Sequence, residues 1–172
     1  MSAIQALFEA TRGPLQGYLR QMCGNDALAE DLLQETYIRL INHPPREADP
    51  AARRKWLFTT ATRLLQDYWR RENPWRWWSF HREDGEVPWD PPSLECPVDE
   101  QLANLQLVER GLQALSPRQH SLLWLAHVEQ LDHREIAACL GLRKGSVKVL
   151  LHRARTRMVE TLKSLGLEGV IP

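Results

Sequence analysis

At 172 residues the chain can form one ordinary domain or two small helical ones of about 70 residues each. No apolar stretch approaches the roughly 18 residues of a membrane span, no N-terminal run has the layout of a secretion signal, and three scattered cysteines suit a reducing compartment better than a disulfide framework; a cytoplasmic protein without membrane insertion is expected. Formal charge sums to zero but is unevenly spread: about +1 over residues 1–73, −3 over 74–98 and +2 over 99–172. Six Lys or Arg lie between Arg143 and Arg157 with no acid among them, and six between Arg53 and Arg71 are opposed only by Asp67. Two such clusters suggest two contacts with a polyanion.

Apolar residues Ile4, Leu7, Phe8, Leu15, Tyr18, Leu19 and Met22 recur at helical spacing, with Gly13-Pro14 as a point of bending or interruption. Cys23-Gly24-Asn25-Asp26 reads as a helix stop followed by a cap. A second helix buries Ala29, Leu32, Leu33, Thr36, Tyr37 and Leu40 on one face, carries Glu30, Asp31, Gln34, Glu35 and Arg39 on the other, and ends at His43-Pro44-Pro45. The third, over about residues 50–71, partly buries Trp56, Leu57, Ala61, Leu64, Leu65 and Tyr68 and displays Arg53, Arg54, Lys55, Arg63, Arg70 and Arg71.

Residues 74–98 hold five prolines, the acidic run Glu83, Asp84 and Glu86, and the aromatics Trp75, Trp77, Trp78, Phe80 and Trp89. Prolines forbid a continuing helix, so this segment reads as a linker, yet its aromatic content requires part of it to pack on a domain or partner. The expected fold is all-α: two small helical domains, 1–73 and 99–172, joined by a Pro/Trp-rich acidic linker over 74–98.

Beyond the linker, a helix through Leu102, Leu105, Val108 and Leu112 leads to Ser116-Pro117-Arg118-Gln119, which combines a serine cap, a proline in the first turn and a capping-box glutamine; the helix it opens should run to about Val128. Asp132 and Glu135 repeat the device before a short helix with Ile136, Ala137 and Leu140. Gly141 is the deciding residue of this half, because glycine tolerates the left-handed conformation that ends one helix and turns sharply into the next. Leu142 and Val147 then pack under Ile136 and Ala137 in a helix-turn-helix, leaving Lys144, Ser146, Lys148, Val149, His152 and Arg153 outward, where they can meet phosphates and base edges. An ordinary helix pair with a basic surface is the competing reading. Enzymatic readings fare worse: neighbouring carboxylates such as Glu30 and Asp31 diverge on a helix, the six histidines form no metal pattern, and no phosphate-cradling glycine motif occurs. No catalytic residue, metal or cofactor is expected.

The run Ala29-Glu30-Asp31-Leu32-Leu33-Gln34-Glu35-Thr36-Tyr37-Ile38-Arg39-Leu40 resembles the bacterial RNA polymerase sigma factors of the extracytoplasmic-function (ECF) group. Further matches occur in order: Trp56-Leu57-Phe58, Asp67-Tyr68-Trp69-Arg70-Arg71, Leu115-Ser116-Pro117-Arg118-Gln119, Glu135-Ile136-Ala137, Leu140-Gly141-Leu142, Ser146-Val147-Lys148 and Leu151-His152-Arg153-Ala154-Arg155. Together they cover residues 4–162 outside the linker.

The resemblance implies a sigma2-like first domain that docks on the beta-prime clamp of core polymerase through Asp31, Gln34 and Glu35. The same domain would engage the promoter minus-ten element through Arg53, Arg54, Lys55, Trp56, Arg63, Arg70 and Arg71, with the loop over residues 43–50 receiving a flipped base. It implies a sigma4-like second domain that reads the minus-thirty-five element through Arg143, Lys144, Ser146, Lys148, Val149, His152 and Arg153, and a linker threading toward the RNA exit path. Promoter DNA, the beta-prime clamp, the beta flap and an anti-sigma protein are the implied partners. Departures from the family pattern are Arg63 where asparagine is common, Val149 and Leu150 where serine and arginine are usual, and Arg143 at a position that serine often caps. Two alternative roles are a sigma-like regulator acting mainly through a protein partner and a free-standing DNA-binding transcription factor.

Overall fold

The computed structural model describes residues 2–47, 49–81, 106–107, 110–112 and 114–166. The acidic run Glu83, Asp84 and Glu86, together with Trp89, Cys96 and the apolar positions Leu102, Leu105 and Val108, lies outside the described residues. Among those described, regular structure is helical throughout, and no helix is long and apolar enough to cross a membrane.

Helix α1 spans Ala3–Cys23 as one element, with Ser2 accepting from the Gln5 amide at its start. Pro14 lies inside it without ending it. Gly24 closes α1 in the left-handed conformation at φ 63°, and the Asn25 side chain caps α2, Asp26–Asn42, by accepting from Leu28 N–H. All six residues expected on the inner face of α2 are buried. Helix α3, Pro50–Glu72, begins on a proline whose missing donor costs nothing in the first turn. Asn73 ends α3 and its side chain accepts from Arg76 N–H, so Pro74 opens a separate helix, α4, Pro74–His81. The segment read as a linker therefore starts with a short helix that packs on α3.

Ser116 and Gln119 form the expected capping box of α5, Pro117–Leu123. The expectation of one α-helix to about Val128 is modified: residues Trp124–Val128 widen into a π turn, followed by Gln130 in the left-handed region at φ 54°. Asp132 and Glu135 form a second capping box on α6, His133–Leu140. A 3-10 turn, Lys144–Ser146, then enters α7, Val147–Ser164.

The expected two domains share one continuous buried cluster. Helix α5 enters between α1 and α4, while α6 lies along α3. Tyr18, fully buried on α1, donates to Thr62 Oγ1 at 2.9 Å, because the Thr62 hydroxyl is itself committed to the Phe58 carbonyl; Ser121 Oγ of α5 lies 3.4 Å from the same tyrosine oxygen. Gly17 admits Trp124, whose ring edge would lie 3.8 Å from any added Cβ. Thr59 Oγ1 meets Cys139 Sγ at 3.2 Å, and Arg54 of α3 pairs with Glu129. The seam between the halves is thus partly polar.

His120 sits in this seam, 4% exposed, edge-on to Trp124 and with Nε2 lacking a hydrogen-bond partner. Burial, reinforced by the Arg76 charge, depresses its pKa to about 4 from the usual 6.5. Folded and unfolded chains are both neutral at this group above pH 6.5, so its neutral burial costs no protonation there. As pH falls from about 6.5 toward 4 the unfolded chain takes the proton first, and stability drops by up to about 3 kcal/mol. Urea unfolding across this window should show that loss, and His120→Leu should flatten the slope; an unaltered slope would place the acid sensitivity elsewhere.

Candidate nucleic-acid interface

The helix-turn-helix forms through backbone geometry that only a few residue types allow. Leu140 ends α6, and Gly141 adopts φ 67°, ψ 34° with its amide bonded to the Ala137 carbonyl. Leu142 N–H reaches the same carbonyl at 2.9 Å, which draws the turn back over the end of α6. Ile136, Ala137, Cys139 and Leu140 of α6 and Val147, Leu150, Leu151 and Ala154 of α7 are buried. Leu150, at a place where the family often carries arginine, is therefore part of the core beneath α7.

With that face turned inward, Arg143, Lys144, Lys148, Val149, His152 and Arg153 stand exposed and Ser146 is half-buried. Val149 is 50% exposed within this basic face. Arg143 begins the 3-10 turn without a side-chain cap, in keeping with the absence of serine there. Arg155 donates to His127 Nε2 at 3.2 Å, tying α7 to the π turn.

The second basic face is on α3. Arg53, Arg54, Lys55 and Trp56 are half-buried, whereas Arg63, Arg70 and Arg71 are exposed. Arg70 pairs with Asp67 at 3.1 Å, and Arg71 Nε donates to the Asp67 carbonyl. Lys55, Trp56, Thr59 and Arg63 line a cleft of about 370 Å³ together with Pro45, Arg46 and Glu47 from the preceding loop. Ala138 of α6 forms part of its wall, so the cleft spans both halves of the chain.

On the far side of the first half, Asp31 and Gln34 are exposed and Glu35 is half-buried, paired with Arg39 at 2.9 Å. Beside them a cleft of about 360 Å³ is bordered by Phe8, Arg12, Glu30, Leu33, Tyr37 and Ile38, with Ile41 62% exposed at its rim. An acidic-polar helix face next to exposed apolar side chains is suited to another protein rather than to DNA.

Sequence reasoning missed Glu129, His120, Ser121 and Cys139 as members of the seam. A lone acid, histidine or serine carries no periodicity that marks it as buried. The only local signal was polar residues at inward positions of an otherwise apolar helix.

Comparison with known proteins gives these surfaces a common frame. The family description "Sigma-70 region 2" matches residues 7–74, and "Sigma-70, region 4" matches residues 105–158. The RNA polymerase sigma factor CarQ of Myxococcus xanthus is 30% identical, over 96% of this chain and 92% of its own length.

The chain belongs to the ECF RNA polymerase sigma factors.

The ECF sigma factor SigL of Mycobacterium tuberculosis is likewise 30% identical, over 95% of this chain and 90% of its own. The chain spans only 57% of the length of another relative, the probable ECF sigma factor SigI of the same species, at 28% identity. Among solved structures, RpoE of Bartonella quintana in complex with the anti-sigma factor NepR has the same fold, with TM-score 0.67 and 21% identity, covering 92% of this chain and 96% of that one. CnrH in complex with the cytosolic domain of CnrY gives TM-score 0.64 at 19% identity, covering 94% and 88%.

Gly141 offers a clean test of how this ECF sigma factor builds its helix-turn-helix. Nothing lies within 4 Å of a Cβ added there, so Gly141→Ala introduces backbone strain alone. A destabilisation of about 1–2 kcal/mol is expected. Thermal unfolding followed by circular dichroism measures it; a stability equal to that of the parent chain would remove the left-handed turn as the constraint.

Proposed function

We propose that this chain is an alternative sigma factor: a non-catalytic, cytoplasmic protein that binds core RNA polymerase and directs promoter recognition, promoter opening and transcription initiation. The observation that carries the reading is the ordered pair of sigma regions, each supplying a basic face, together with a separate acidic-polar face on α2. Two DNA contacts joined to one protein-docking surface match what initiation requires.

In this reading Asp31, Gln34 and Glu35 dock on the beta-prime clamp. Arg53, Arg54, Lys55, Trp56, Arg63, Arg70 and Arg71 hold the minus-ten region, with phosphate contacts from the cations and the loop-bordered cleft taking an unstacked base. Opening costs a few kcal/mol for each disrupted step, which binding to polymerase and phosphate must offset. Arg143, Lys144, Ser146, Lys148, Val149, His152 and Arg153 meet the minus-thirty-five element, and the same half docks on the beta flap. Likeness to RpoE, solved with the anti-sigma factor NepR, supports an anti-sigma protein as a further partner.

The direct test is transcription by purified core polymerase with and without this chain, on a promoter that the mixture selects from randomised DNA. Transcripts that require the chain and begin at one position support the proposal; polymerase that initiates no differently in its presence overturns it. Reversing charge through Asp31→Lys with Glu35→Lys should weaken core binding at least about tenfold, or about 1.4 kcal/mol, while circular dichroism shows an intact helix. An unchanged titration would move the docking surface elsewhere. Replacing Lys148 and Arg153 by glutamine should lower the slope of log affinity against log salt by roughly one unit for each phosphate no longer neutralised, whatever the sequence of the duplex. A slope that does not move would exclude this face of α7 as a principal phosphate contact.

A further inference from the structure

The helix-turn-helix packs on the helix that carries the other basic face, while its own basic face on α7 stays exposed. Helix α6, the first of the helix-turn-helix, packs on α3, with Thr59 against Cys139 and with Ala138 walling the cleft beside Lys55, Trp56 and Arg63. Promoter elements centred at minus ten and minus thirty-five are about 25 base pairs apart, on the order of 85 Å along B-form DNA. Two halves packed around one buried cluster cannot set their basic faces that far apart. The arrangement must open before both elements are read, and whatever holds the seam sets how readily it opens.

One contact in the seam has the chemistry of the ligand it displaces. The Arg54 guanidinium lies over the Phe58 ring, 5.6 Å from its centroid, and pairs with the Glu129 carboxylate. Glu129's side chain is 1% exposed and Arg54's is 34% exposed, so the acid is buried by the seam while the cation keeps an edge in solvent. A carboxylate offers guanidinium two anionic oxygens, the same recognition that phosphate uses. Backbone irregularity surrounds this acid on both sides. Trp124–Val128 form a π turn, Glu129 N–H bonds back five residues to the Trp124 carbonyl, and Gln130 takes a left-handed conformation that non-glycine residues rarely adopt. Regular helix through these positions would aim residue 129 differently; the irregular path holds its carboxylate on Arg54.

We propose that Glu129 is an internal surrogate for promoter phosphate at Arg54, latching the free chain closed and competing with DNA for that site. The proposal rests on the assignment of Arg54 to the minus-ten face. In the free chain the latch occupies Arg54 and keeps the helix-turn-helix folded against α3. Docking on polymerase separates the halves, removes Glu129 from Arg54 and leaves the guanidinium to promoter phosphate.

Glu129→Gln removes the charge and keeps the shape. In the free full-length chain it should increase the radius of gyration measured by small-angle X-ray scattering, and tighten binding of a mixed-sequence fork-junction DNA about tenfold at fixed salt. With core polymerase, where the seam is already open, the same variant should initiate as the parent chain does. Unchanged dimensions overturn the latch, and expansion without tighter DNA binding overturns the competition for Arg54. A second variant works in the opposite direction and does not depend on Glu129: Thr59→Cys places a thiol beside Cys139, within reach of a disulfide across the seam. Its oxidised form should initiate at least about tenfold less with core polymerase than its own reduced form, which carries the same substitution in the cleft wall; equal initiation in the two forms overturns the need to open. Failure of the sigma assignment has a different signature, since the parent chain and the reduced variant would then also fail to direct initiation, whatever the scattering of Glu129→Gln shows.

Discussion

The fold depends on the satisfaction of one buried hydroxyl. Tyr18 is wholly enclosed, and a phenol taken from water without a partner costs on the order of 2 kcal/mol or more. Thr62 on α3 meets that demand, with Ser121 on α5 beside it, so α1 is held to α3 and placed next to the start of the helix-turn-helix half at one point. Burial raises the Tyr18 pKa further, which keeps it a donor at every ordinary pH. The neighbouring contacts fall into place around it: Ser121 donates to Met22 Sδ, Arg76 reaches the Met22 carbonyl at 2.8 Å from α4, and Trp124 closes on Gly17. A seam built this way has a defined register, since sliding any helix by one residue strands a buried polar group.

Legibility in the sequence divided along the distance between interacting residues. Devices spanning three or four residues were readable and occur as expected: the Asn25 cap, both capping boxes, and the left-handed glycines 24 and 141. Each satisfies a terminal amide or carbonyl by its own neighbours, so composition at fixed spacing is enough. The apolar face of α2 was equally plain, because 3.6-residue periodicity records which side is buried even when the partner is unknown. Contacts 75 to 103 residues apart, such as Arg54–Glu129 and Tyr18–Ser121, have no such trace. The π turn was unreadable for a related reason: Trp124-Leu125-Ala126-His127-Val128 is ordinary helical sequence, and its widening comes from what Trp124 and Glu129 touch in the other half.

The placement of the candidate DNA residues shows the same limit. Periodicity correctly turned Lys148, Val149, His152 and Arg153 outward, since they lie opposite a core formed within their own half. It also displayed Arg53, Arg54 and Lys55, and those are half-buried because α6 covers that end of α3. A sequence reports the face a helix turns from its own core. It does not report a second domain folded over that face.

Zero net charge acquires a physical meaning in this setting. A neutral chain with two basic faces carries as many acids elsewhere, and one of them is available to a cation that packing partly buries. Glu129 is that acid at the α3 end of the seam, where a purely apolar contact would leave Arg54 partly desolvated and uncompensated. The same choice limits how tightly the halves adhere: His120 is held neutral by burial and the Arg76 charge, and several of the contacts crossing the seam are single hydrogen bonds or one ion pair. Each contributes about 1 kcal/mol net, so a partner that replaces a few of them can separate the halves without unfolding either core. A seam of leucines of equal area would hold more firmly but would expose an apolar surface on opening. Polar contacts at the joint therefore reconcile a defined closed arrangement with one that can be taken apart.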